Sequence, residues 1–98
     1  SNGANLLGAM VQLYPGLIRQ AVLLRGIQVL EQPPALAADA LAGTRALLLS
    51  GARDPFARMA PALEQALRQG GADLQAETLP AGHELAAADL AAVQAWLA

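Results

Sequence analysis

The residues best suited to chemistry are few and lie far apart in the sequence. His83 is the sole histidine of the 98-residue chain. It sits in the loop sequence Pro80-Ala81-Gly82-His83-Glu84, directly after an apolar stretch that reads as a strand. Imidazole is the side chain best suited to taking up and returning a proton near neutral pH. Asp54 lies in Ser50-Gly51-Ala52-Arg53-Asp54-Pro55, which also follows an apolar run. In open parallel sheets, active sites form where loops leave the carboxyl ends of the strands. Both loops then open toward one sheet edge, where a carboxylate can orient an imidazole tautomer and stabilise its cation. A nucleophile completing such a set belongs at the same edge, just before a helix, and Ser1 occupies that place.

Other polar groups have simpler readings. Asp54 precedes Pro55 and can also cap the helix that begins at Phe56, a role compatible with the first. Glu84 is a second acid beside His83, but near a helix start its charge suits capping. Ser50 is a second serine at the same edge without a nucleophile turn around it. Arg25 and Arg53 read as solvated or as members of local ion pairs. Met10, Met59, Trp96 and Phe56 read as core or pocket lining. No G-x-G-x-x-G occurs, so the glycines form no dinucleotide fingerprint.

Composition excludes several classes. At 10.0 kDa there is room for one small domain. Hydrophobic residues make up 55% of the chain and charged ones 14%, a balance that favours a packed core over disorder. The net charge is -2 and the basic residues, all arginine, are scattered, which argues against nucleic-acid binding. With no cysteine and one histidine, neither disulfides nor a protein zinc site is expected, and no cofactor is implied. No apolar run approaches the roughly 18–20 residues of a membrane span. Ser1-Asn2-Gly3-Ala4-Asn5 has no basic stretch of the signal-peptide kind, so a cytoplasmic protein is expected. The chain starts without Met, which suggests a processed product or a fragment of a longer protein.

The candidate residues need a scaffold of alternating elements. Gly3 to Tyr14 reads as a helix with Leu6, Leu7, Met10, Val11 and Tyr14 on one face, stopped by Pro15-Gly16. Ala21-Val22-Leu23-Leu24 and Ala46-Leu47-Leu48-Leu49 read as strands buried on both faces. Between them, Ile27 to Gly43 is irregular, with a short helix possible over Ala35 to Leu41. Phe56 to Gln69 reads as a helix closed by Gly70-Gly71 in a left-handed cap. Leu74 to Leu79 alternates apolar and polar residues, as a strand near a sheet edge does. Ala86 to Leu97 reads as a final helix with Leu90, Val93, Trp96 and Leu97 inward. Strands alternating with helices imply right-handed crossovers and a parallel sheet. The first strand is wholly apolar yet would lie at an edge, so another polypeptide or further strands should cover it.

With these motifs in place, the chain resembles the C-terminal half of an α/β-hydrolase of the carboxylesterase/phospholipase type. Ser1-Asn2-Gly3-Ala4-Asn5 is similar to the second half of the family's G-[FY]-S-N-G-A-N elbow. Ser50 to Pro55 is similar to its G-x-x-D-P loop, and Pro80-Ala81-Gly82-His83 to its final G-H loop. The order Ser, Asp, His is that of α/β-hydrolases. The resemblance implies three strands of that family's parallel sheet, with residues 1–98 forming the C-terminal portion of one domain. It implies an esterase with Ser1 as nucleophile, Asp54 as acid and His83 as base, acting on a small-molecule ester. One oxyanion donor would be the backbone N–H of Asn2, the other a loop preceding this sequence. The implied partner is the N-terminal half of the same domain, with a homodimer as a further possibility. By themselves the 98 residues are expected to be inactive, and self-associated or poorly folded. The rival reading is a non-catalytic α/β module that pairs through its exposed strand edge.

Overall fold

The computed structural model describes residues 2–98. Its elements are α1 (Asn2–Leu13), β1 (Gln20–Leu24), β2 (Arg45–Gly51), a 3₁₀ turn (Ala57–Met59), α2 (Ala60–Gln69), β3 (Asp73–Leu79) and α3 (Ala87–Leu97). The strands form a parallel sheet in the order β1-β2-β3. Gln20 pairs with Arg45, and Arg45 with Asp73, so the three strands start level and their carboxyl ends share one edge.

Period-two alternation along β2 sorts the core into two layers. Ala46 and Leu48 face the cluster that joins Val11 of α1 and Leu63 and Leu67 of α2. Leu47 and Leu49 face the opposite side, against Trp96 of α3. Both faces of the central strand are thus covered, which is why its sequence is continuously apolar. On β3, Leu74 is buried while Asp73, Gln75 and Thr78 are exposed, the pattern of an edge strand.

The helical expectations need four adjustments. Phe56 to Gln69 is not one continuous helix. Pro61 stands in the first turn of α2, where its missing N–H is tolerated, and a 3₁₀ turn fills the approach. Ala35 to Leu41 forms no helix, because the Leu41 amide bonds the Gly70 carbonyl at 2.7 Å instead of an i−4 partner. That docking brings Ala38 against Gly71, whose positive φ and lack of a Cβ admit the Ala38 carbonyl. The segment before it is fastened by a reciprocal amide pair between buried Gln12 and Gln28, at 3.2 and 2.8 Å. Asn5 Oδ1 also accepts from the Ile27 amide.

In α3, the inward stripe is Asp89, Ala92, Val93 and Trp96, while Leu90 and Leu97 are exposed. Two polar contacts set this rotation. Asp89 pairs with Arg25, and the Arg45 guanidinium stacks 3.9 Å over the Trp96 ring. On α1, Val11 is buried, whereas Leu6 faces outward, as does Tyr14 just past the end of the helix.

Candidate active site

The turn after β2 and the turn after β3 are laced together through their main chains. Ala52 N–H donates to Leu79 O and Arg53 N–H to Ala81 O, at 2.8 and 2.9 Å. The exposed Arg53 side chain adds a bond to Pro80 O at 3.0 Å. Gly51 makes this approach possible. A Cβ there would lie 2.3 Å from Gly82 O and 2.6 Å from Ala81 O, distances that no side chain tolerates. Gly51→Ala is therefore expected to force the loops apart and to destabilise the protein by at least the roughly 1–3 kcal/mol of an overpacked site. An unchanged melting temperature would contradict the close approach.

The lacing brings Asp54 and His83 together. His83 Nδ1 lies 2.9 Å from Asp54 Oδ2. The Asp54 side chain is 3% exposed and the His83 side chain 41%, so the pair is a buried acid holding an accessible imidazole. Asp54 Oδ1 also accepts the Phe56 amide at 2.9 Å, so the capping role expected for it coexists with the contact to His83. Burial opposes ionisation of Asp54, but the bonds from His83 and Phe56, aided by the charges of His83 and Arg25, hold its carboxyl below the ordinary value. An ionised Asp54 can only accept, so Nδ1 carries the proton and Nε2 is left as the basic nitrogen. The Phe56 ring stands edge-on to the imidazole, with centroids 5.5 Å apart.

His83 lines a cleft of about 350 Å³ together with Asn2, Asn5, Arg25, Ile27 and Phe56. Asn2 opens α1, where the first N–H groups have no intrahelical acceptor and favour negative charge. The expected nucleophile, Ser1, lies outside the described residues. Ser50 is the penultimate residue of β2, half-buried, and takes no part in the Asp54–His83 contact. Glu84 does not cap α3. Asp89 does so, accepting the Ala86 amide at 2.9 Å, while Glu84 contributes only its backbone carbonyl, to Arg25.

Arg25 is the residue that sequence reasoning undervalued. It is neither solvated nor locally paired. Its side chain is 1% exposed and meets Asp89, 64 residues on, through bonds of 2.6 and 2.8 Å. The available signal was a lone Asp on an otherwise Ala- and Leu-rich helix, together with a lone Arg closing an apolar strand.

A parallel sheet with an Asp and a His on successive carboxyl-end loops defines the class: the chain has the fold of the C-terminal half of an α/β-hydrolase of the carboxylesterase type. A carboxylesterase from Mesorhizobium loti is similar at 41% identity and a TM-score of 0.89, over 98% of this chain and 45% of that one. The protein Atu2452 of unknown function from Agrobacterium tumefaciens is similar at 32% identity and a TM-score of 0.84, over 98% and 47%. A Bacillus cereus carboxylesterase shares the fold at 22% identity and a TM-score of 0.86, over 97% and 44%. The chain thus spans about half the length of each of these proteins. No protein-family profile and no curated protein sequence matches it significantly. Among the described residues, no helix is long and apolar enough to cross a membrane.

Proposed function

We propose that this chain is the C-terminal portion of a single α/β-hydrolase domain and carries the triad of a serine hydrolase that cleaves carboxylic esters. The observation that carries the reading is the 2.9 Å contact between His83 and Asp54 in a cleft shared with the first turn of α1. Ser1 directly precedes Asn2 in the sequence. Its hydroxyl attacks the ester carbonyl while His83 Nε2 takes the proton. The backbone N–H of Asn2 stabilises the oxyanion, a contribution typically worth about 3–4 kcal/mol per donor. His83 then gives the proton to the departing alcohol, leaving an acyl group on Ser1. Water, deprotonated by the same imidazole, releases the acid. Asp54 keeps the Nδ1 proton in place and stabilises the imidazolium.

The N-terminal half of the domain would seat against the apolar groove between β1 and α3, where Val22 and Leu24 meet Leu85, Leu90 and Val93. The test is covalent. The intact protein should hydrolyse p-nitrophenyl acetate or butyrate, and a fluorophosphonate probe should label Ser1 and no other serine. Labelling at Ser50, or a folded intact protein inert toward both esters, would overturn the reading.

A further inference from the structure

We propose that Arg25 is the positioning residue of the general base: its buried guanidinium clamps the backbone on both sides of His83 and fastens it to the start of α3. The proposal rests on the esterase reading, and the geometry is specific. Arg25 Nε donates to Gly82 O at 2.9 Å, and one terminal nitrogen donates to Glu84 O at 3.2 Å. Both terminal nitrogens bond Asp89, whose carboxylate also accepts the Ala86 amide. One planar fork therefore ties residues 82, 84 and 89, and the two carbonyls it holds flank His83.

The His83 loop needs such a clamp. Residues 80–86 form no helix or strand, and the His83 side chain is 41% exposed. The contact with Asp54 holds the ring at Nδ1 but does not fix the backbone from which the ring hangs. The lacing from Arg53 reaches Pro80 and Ala81 but stops short of residue 82. Arg25 takes over at that point.

Two further features separate this role from a merely stabilising ion pair. Arg25 sits in the left-handed region, with φ at 59°, a conformation that non-glycine residues hold only where their surroundings demand it. Its amide also bonds Leu49 O at 2.8 Å, so the clamp is rooted in β2, the strand that leads to Asp54. Second, an ion pair alone requires only Asp89. The two bonds to carbonyls beside His83 use donors that a lysine ammonium, a point charge, cannot spread across that span.

Two variants of the intact protein test the role. In Arg25→Lys the charge stays and the fork is lost. In the double variant Arg25→Met with Asp89→Leu both charges leave together, so neither is stranded in the core. In each, kcat should fall about 10- to 100-fold, the scale of a misplaced catalytic group, with KM little changed. The imidazole ¹⁵N signals of His83, assigned by their loss in His83→Ala, should change from the Nδ1–H form to a mixture of tautomers. A folded variant with both kcat and the imidazole signals of the wild type would overturn the proposal, whatever its melting temperature. Should the double variant fail to fold, Arg25→Lys gives the same two readouts. Should the wild type prove inert toward esters, the esterase reading fails, and the imidazole signals still decide whether Arg25 positions His83.

Discussion

His83→Ala in the intact protein is expected to lower the turnover of p-nitrophenyl esters by several orders of magnitude, on the order of 10⁴–10⁶, because triad members act as a unit. Asp54→Asn should cost about 10⁴-fold. The asparagine amide can present N–H to Nδ1, and the imidazole then turns its proton toward Nε2, where a base is needed. Glu84→Gln separates this account from a simpler one in which any acid near the imidazole suffices. The Glu84 side chain is exposed, and only its backbone carbonyl is used, by Arg25. The neutral variant should therefore keep nearly full activity. If Glu84→Gln is as damaging as Asp54→Asn, Asp54 is not the acid. Steady-state kinetics on the three variants, each checked for folding by circular dichroism, decide the matter.

Asp89→Ala carries the largest expected effect on stability. It leaves the Arg25 guanidinium buried, with no carboxylate to balance it and the Ala86 amide without its acceptor. Stranding one member of a buried pair typically costs about 3–5 kcal/mol, against a total of roughly 5–15 kcal/mol for a whole domain. Denaturant unfolding should show the loss, and a midpoint equal to the wild type would contradict the buried pair. The same group makes a prediction in pH. The hydrogen bonds from Arg25, opposed by burial and aided by the Ala86 amide and the Arg25 charge, hold the Asp89 carboxyl below its ordinary value. A carboxyl depressed in the folded state contributes stability that is fully present above its unfolded pKa, near 4. That contribution is lost as pH falls through the lower folded value. Asp89→Asn should accordingly remove part of the acid sensitivity below about pH 4.

The strands and the two loops that bear Asp54 and His83 were legible because their signals are local. Continuous apolar runs can only be satisfied in a sheet covered on both faces, and Pro, Gly and Asp mark where each run ends. The facing of α3 was only partly legible: Val93 and Trp96 turn inward as expected, whereas Leu90 and Leu97 do not. Its sequence from Ala87 to Leu97 is apolar on nearly every side, so the residue spacing offers no preferred stripe. What fixes its rotation is Arg25, brought from 64 residues away, and Arg45 from β2. Glu84 carries the charge that suits a helix start, but Asp89 takes the cap because it also neutralises a buried arginine. Ala35 to Leu41 carries helix-forming residues, yet its Leu41 amide is claimed by the Gly70 carbonyl, a tertiary contact that propensity does not register. The requirement for glycine at position 51 likewise appears only once residues 81 and 82 pass across it.

The triad is tested most directly by a crystal structure of the intact protein inactivated with a fluorophosphonate. The expected result is a phosphonyl group on Ser1 Oγ, with His83 Nε2 within about 2.6–3.2 Å of the Ser1 oxygen or of a phosphonyl oxygen. The phosphonyl oxygen that mimics the oxyanion should face the Asn2 amide, and Nδ1 should remain on Asp54. An adduct on Ser50, or a Ser1 adduct turned away from the His83 imidazole, would contradict the triad.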